Sequence, residues 1–552
     1  MPRNQRVAGV PADLAVILRD VGTLLLMQAG LLSLTVVVAL VFGEFAPALG
    51  FLLAGGIAAG VGESCRRLFA DAPDPKMKHG MVIAASGWFA TAVFGGVAFS
   101  LVAWLTPVTT MAGYVPSWAS WDPVTVAGAT SRSSLLYFRN PLHAMFESMS
   151  GWTGSGLTMA AHEPSLPRSV QWWRSLIQYV GGVGVIVLTV TILSRPGSGS
   201  YALYRSEARE EKIHPSVVST VRTVWKIFVG YTLLSVGLLF VALWWTQDLP
   251  LFETFWQALN HAMTGLSTGG FSVTDSSMES YNSPLVETVL LPVMTLGAIA
   301  FPIHYGLLHD REYSELYEDI QTRWLLLLLA AGIVVLSLQN LLVELPVEGY
   351  RATVASPVPT LSTAEFDAIR DGTFQWVSAL SCTGFQSSPI GRWSDGGKLM
   401  LSVAMTLGGA AGSTVGGIKI IRGYTVSKGI QWQFARVFLP KSAVVSTELD
   451  GRRLDADAMN REFAEAAIVS LLWVILLLAS SLVLVNVASG SYSDALFEVA
   501  SAQGNVGLSS GITGPEMPAV AETMFLFNMW IGRLEIIPVL VLARSVLKGL
   551  DP

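Results

Sequence analysis

Apolar runs recur along the chain near residues 22–43, 48–64, 80–105, 176–194, 220–245, 285–308, 324–343, 399–421, 464–487 and 523–547. A helix needs about 20 apolar residues to cross the hydrocarbon core of a bilayer, so the pattern predicts about ten spanning helices, two of them ahead of residue 78. Four of the polar stretches between these runs are too long to be turns. Each carries a short amphipathic stretch followed by small residues: NPLHAMFESMSGWTGSGLTMA (140–160), PLFETFWQALNHAMTGLSTGGFSVTD (250–275), FDAIRDGTFQWVSALSCTGFQSSPIG (366–391) and SYSDALFEVASAQGNVGLSSGITG (491–514). Laid over one another, they share a helical run, a small or polar triplet, a glycine, a Leu or Phe, then a polar residue. The glycines that superpose are Gly156, Gly270, Gly384 and Gly507, spaced 114, 114 and 123 residues apart. So regular a period marks a repeat architecture, with each repeat a loop set between two spanning helices.

Composition supports the membrane reading. Of 552 residues, 52% are hydrophobic and 13% charged, against about 25% charged in a typical soluble chain. The net charge of −6 says little, but its placement says more, because Lys and Arg concentrate in cytoplasmic loops. With the N-terminus inside and ten spans, 25 basic residues fall inside and eight outside, with Arg533 left within a span. The inside charges cluster at 195–226 and 419–461. Cys65 and Cys382 are the whole cysteine complement, which excludes a disulfide framework and a cysteine-rich metal site. The first apolar run is expected to be an uncleaved membrane helix.

Irregular backbone at membrane depth persists only where protein buries it or water lines it. Four re-entrant loops around one axis would form a ring of carbonyl oxygens, which replace the water shell of a desolvated cation. Glycine suits this chemistry because stacked, pore-facing carbonyls need backbone angles that a side chain resists. The candidate ion-binding residues are Thr153, Gly154, Ser155 and Gly156; Ser267, Thr268, Gly269 and Gly270; Ser381, Cys382, Thr383 and Gly384; and Gly504, Asn505, Val506 and Gly507. The helix before each loop would aim its C-terminal dipole end at the ion. Glu147, Glu253 and Glu498 in those helices would add negative potential or act as caps. A single Gly/Ser/Thr loop reads as a plain connection; four in register do not.

Two further features stand apart. GGAAGSTVGG (408–417) interrupts an apolar run with five glycines, and a helix so broken is expected to loop into the pore. The candidate residues are Gly408, Gly409, Gly412, Ser413, Thr414, Gly416 and Gly417; the alternative is close helix packing through small residues. The G-K-[ST] ending of a phosphate loop is missing. Arg533 lies inside the last run, where charge is costly and usually functional; the alternative is an ion pair with Glu535 or with a helix dipole.

The stretches WWRSLIQYVGGVGVIVL (172–188), MTLGGAAGSTVGGIKIIR (405–422) and MWIGRLEIIPVLVL (529–542) resemble the Trk/Ktr/HKT superfamily of potassium transporters. The resemblance runs from about residue 78 onward, and the helices before it make the Trk type the most similar. It implies an all-α polytopic membrane protein of four M1–P–M2 repeats around a central pore, preceded by two extra helices. The chain then divides into a two-helix extension (1–77) and repeats at 78–212, 213–315, 316–445 and 446–552. The resemblance also implies a potassium filter, an intramembrane gate at 408–417, and an arginine facing the pore at position 533. It further implies a homodimer in the cell membrane and a cytosolic nucleotide-binding (RCK-type) regulatory subunit. Membrane lipid is an expected partner, nucleic acid is not, and potassium is cargo, with no covalent cofactor. Sodium-selective relatives replace the first filter glycine with serine, so Gly156 points to potassium. The first filter departs from the family in reading TGSG, which leaves its register open between Gly154 and Gly156. The expected function is potassium uptake; the alternative is a sodium- or proton-coupled symporter, which a lack of buried carboxylate relays disfavours. An intramembrane enzyme would need paired acids or H-E-x-x-H within spans, and the seven histidines are scattered instead.

Overall fold

The computed structural model describes residues 6–193, 217–345, 353–438, 447–449 and 452–550. The basic residues Arg195, Arg205, Arg209 and Lys212 of the expected inside cluster lie outside the described residues.

Two long helices open the fold, α1 (Ala12–Val41) and α2 (Phe45–Leu68), packed against each other. Gly22 and Gly62 make this possible: a Cβ on either would meet the other's carbonyl at 2.7 Å. A pattern of long helix, short buried helix, irregular strand and second helix then recurs four times. Repeat one holds α3 (Met77–Leu105), α4 (Pro141–Thr153) and α5 (Arg168–Leu193). Repeat two holds α6 (Val217–Thr246), α7 (Leu251–Leu266), and α8 (Pro284–Ala298) with α9 (Phe301–Tyr305). Repeat three holds α10 (Ile320–Gln339), α11 (Thr363–Leu380), α12 (Asp395–Thr406) and α13 (Ile420–Val437). Repeat four holds α14 (Ala456–Val487), α15 (Tyr492–Gly504), and α16 (Ala519–Leu534) with α17 (Ile536–Lys548). The only strands among the described residues form three two-stranded hairpins.

Three of the four short helices start at strong caps. Asn140 accepts from the Leu142 N–H with Pro141 in the first turn, and Ser362–Glu365 and Ser491–Asp494 form reciprocal capping boxes. Such caps satisfy donors that a helix start leaves orphaned. The short helices are buried nearly throughout, whereas α1, α6, α10 and α14 leave Leu, Ile and Val exposed on one side, as a lipid-facing surface requires.

Three of the ten expected spans differ from single helices. The run 399–421 is divided: α12 ends at Thr406, α13 begins at Ile420, and 407–419 is irregular. The runs 285–308 and 523–547 each bend by 112°. In the first, Pro302 sits in the opening turn of α9 and has no N–H to continue the ladder into α8. In the second, Glu535 takes φ 58° and ψ 164°, which ends α16. The first span also starts earlier than residue 22, at Ala12. Among the described residues, six helices are long and apolar enough to cross a bilayer, and the two bent pairs raise this to eight. The protein is a multi-pass membrane protein.

Candidate functional site

The four re-entrant strands repeat their backbone conformation residue by residue. Gly156, Gly270, Gly384 and Gly507 take φ of 79°, 74°, 78° and 106°. Two residues earlier, Gly154, Thr268, Cys382 and Asn505 take φ of 70°, 52°, 52° and 54°. Each preceding helix ends on the same hydrogen bond, from Ser155 N–H to Ser150 O, Gly269 to Thr264, Thr383 to Ser378 and Val506 to Ser501, at 2.8–2.9 Å. This fixes the register of the first loop: Gly156 matches the other three glycines, and Gly154 matches Thr268, Cys382 and Asn505. The extra glycine of TGSG occupies a left-handed position that the other loops fill with strained residues.

The same four glycines close the strands into a ring. A Cβ on Gly156 would strike the Gly269 carbonyl, one on Gly270 the Thr383 carbonyl, one on Gly384 the Val506 carbonyl, and one on Gly507 the Ser155 carbonyl. Each loop thus lies against the next, in chain order, and the last returns to the first. The carbonyls of Ser155, Gly269, Thr383 and Val506 thus sit at the four contacts between neighbouring loops. Glycine is required here twice over, for positive φ and for this close approach.

The second loop is also held from α5: Gln178 donates to Gly269 O (2.6 Å) and accepts from Phe271 N–H (2.9 Å). Sequence reasoning passed over Gln178; its position as the seventh residue of WWRSLIQYVGG, near the start of an apolar run, was the available signal. Thr153 turns its hydroxyl back to Met149 O, and Asn505 donates to Met529 O. These two side chains therefore brace the loops. Glu253 sits in the first turn of α7, paired with Arg168 at 2.5 Å, so it starts its helix instead of flanking the ring. Glu147 and Glu498 are fully buried beside their loops.

Below the ring, residues 407–419 form a closed loop. Its ends meet where Gly408 N–H donates to Ile418 O (2.8 Å) and Ile418 N–H to Thr406 O (2.9 Å). The break between α8 and α9 holds it: Ala410 donates to Ala298 O, Thr414 to Gly297 O, and Phe301 to Gly412 O. Gln321 of α10 accepts from Ala411 N–H at 2.7 Å. The backbone polar groups that a broken helix frees are thus satisfied by protein. Gly412 and Gly417 take φ of 78° and 71°. Thr414 stands 2.8 Å from the Thr268 hydroxyl, and Gly416 lies against the Gly504 carbonyl, so the loop touches the base of two re-entrant strands. Gly409 and Ser413 pack within it, against Ala298 and Ala410.

Arg533 is buried at the end of α16. It donates to the Thr414 carbonyl and to Gly181 O and Gly182 O at 3.1 and 3.0 Å. Its Nη1 lies 3.8 Å from the place a Cβ on Gly154 would occupy. The alternative pairing with Glu535 is not what the fold makes: Glu535 pairs with Arg422 of α13. Among the described residues no carboxylate lies within ion-pair range of Arg533.

A family described as TrkH, cation transport protein, matches residues 79–548. The chain belongs to that family. It is 33% identical over 433 residues to an uncharacterized cation transporter of Methanocaldococcus jannaschii, covering 78% of this chain and 82% of the relative. It is 27% identical over 538 residues to the Trk system potassium uptake protein TrkH of Halomonas elongata, covering 96% and 98%. The crystal structure of the potassium transporter TrkH from Vibrio parahaemolyticus superposes with a TM-score of 0.74 at 21% identity, over 96% of this chain and 98% of that one. That likeness is one of fold. It covers the two N-terminal helices that precede the TrkH family match.

Proposed function

We propose that this TrkH-family chain takes up potassium across the cytoplasmic membrane, passing the ion through the carbonyl ring. The observation that carries this reading is the ring itself, in which each loop's glycine admits the carbonyl of the next. Four carbonyl dipoles, without a competing carboxylate in the ring, suit a weakly hydrated monovalent cation. The filter comprises residues 153–156, 267–270, 381–384 and 504–507. Loop 408–417 is the gate, and Arg533 holds it shut by its bond to Thr414 while placing a positive charge under the filter. The potassium uptake proteins among its relatives support the same cargo. Reconstituted in proteoliposomes, the protein should admit potassium and rubidium over sodium and lithium. Equal sodium and potassium permeability would sink the reading. Reversal potentials that track the potassium gradient alone favour a channel-like path; a shift with a sodium or proton gradient would favour symport.

The N-terminus lies on the cytoplasmic side, and a homodimer docks a nucleotide-binding regulator there. The excess of basic residues on that face supports this. A purified protein that retains no cytosolic partner in pull-downs, with or without nucleotide, argues against docking.

A further inference from the structure

Nine residues before each ring glycine stands a buried polar side chain that reaches forward to the strand just after that glycine. Glu147 accepts from the Thr158 hydroxyl (2.9 Å) and Met159 N–H (2.8 Å). His261 accepts from Val273 N–H (3.3 Å), with its Nε2 3.0 Å from the Ser272 hydroxyl. Gln375 donates to the Ser387 hydroxyl at 3.1 Å. Glu498 accepts from the Ser509 hydroxyl and Ser510 N–H, both at 2.7 Å. The fold thus ties each short helix to the strand beyond its glycine at one register, using Glu, His, Gln and Glu.

The two glutamates differ in charge balance. Glu147 receives Arg174 Nε at 2.6 Å, and both side chains are fully buried; the pair is neutral. Glu498 is equally buried, yet among the described residues it has no cation partner. Its Oε1 receives the donors of Ser509 and Ser510, with Gly511 N–H and Ile512 N–H at 3.2 Å. Its Oε2 receives the Thr513 hydroxyl at 2.5 Å. Three of these donors are backbone N–H groups, which only donate, so the nest suits an ionised carboxylate.

We propose that Glu498 sets the affinity of the ring for cations: its unbalanced negative charge, fixed behind the fourth strand, raises cation occupancy of the ring. The inference rests on the carbonyl ring being the ion path. Unlike Glu147, Glu498 acts on the ion through space, and its role is one of positioning and field.

Glu498→Gln separates charge from geometry. The amide oxygen keeps the backbone donors, and the Thr513 hydroxyl turns to accept from the new NH2 group. The variant and wild type are compared in proteoliposomes for potassium KM, maximal rate and potassium-to-sodium preference. The expected result is a potassium KM raised roughly tenfold at a preserved maximal rate, the effect of a unit charge about 10 Å away at an effective dielectric near 20. A KM within twofold of wild type, in a protein that still discriminates potassium from sodium, overturns the proposal and leaves the carbonyl ring standing. A wild type that passes both ions equally overturns the ring and this proposal together. Should Glu498→Gln not fold, Glu498→Asp keeps the charge: a KM near wild type is expected, and a tenfold rise overturns the proposal.

Discussion

Replacing Arg533 with alanine should increase basal ion flux. Two effects act in the same direction. The guanidinium holds the Thr414 carbonyl at the tip of loop 408–417. A hydrogen bond from a charged donor contributes about 1.5–3 kcal/mol, so losing this tether shifts loop opening roughly ten- to a hundredfold. The fixed charge under Gly154 also repels an entering cation. Two unit charges ~6 Å apart cost roughly 3 kcal/mol at an effective dielectric near 20. Water in an opened pore screens the second effect, so the tether sets the expected range. Rubidium uptake into proteoliposomes measures it, with a thermal melt to confirm folding. Arg533→Lys keeps the charge but not the planar fork that reaches Thr414, Gly181 and Gly182 together; it should fall between alanine and wild type. A folded Arg533→Ala protein with wild-type flux refutes both the tether and the barrier. A protein that no longer folds would make Arg533 a structural member that ties α5, α16 and the loop together.

Gly156→Ser should raise relative sodium permeability severalfold, because the new Cβ meets the Gly269 carbonyl and sits at φ 79°; unchanged selectivity in bi-ionic flux assays would remove Gly156 from the ring. Deleting residues 410–415 should open the path without altering the charge beneath the filter, since Gly408 and Ile418 already meet at 2.8 Å; its flux gain should be less sensitive to salt than that of Arg533→Ala, and a matching salt dependence counts against a steric plug. Glu163, in the connection from the first ring strand to α5, has its carboxyl pushed up to about 8 by burial, with Arg174 only partly opposing the shift. A raised acid pKa contributes stability that is fully present below the ordinary value near 4.5 and lost as pH rises through 8. Wild-type melting temperature should therefore fall between pH 6 and pH 9, and Glu163→Gln should flatten that slope; parallel slopes for the two proteins contradict the assignment.

Much of the fold was legible because a bilayer constrains sequence in a simple way. Long apolar runs gave α1, α2, α3, α6, α10 and α14 to within a few residues at most boundaries, apart from the earlier starts of α1 at Ala12 and of α14 at Ala456. The glycine period gave the four re-entrant loops in register. Pro302 was an available signal for the break in the first bent span; the break at Glu535 was not legible, since a run of this kind looks the same whether or not its backbone ladder continues. The glycines of 408–417 announced an interruption, but not that the loop's ends would meet and its tip rest on Thr268 and Arg533.

The sequence by itself determined which long segments are apolar enough to cross a membrane, how often the repeat occurs and which glycines lead it. Those properties depend on local composition and spacing. Tertiary structure alone decided the order in which the loops contact one another, the register of TGSG, the partner of Arg533 and the contrast between Glu147 and Glu498. Each depends on groups far apart in the chain: Gly507 meets Ser155, Arg533 meets Thr414, and Arg174 neutralises one glutamate while, among the described residues, no cation reaches the other. A buried charge acquires its meaning from its neighbours, and only the closed ring of four repeats supplies them.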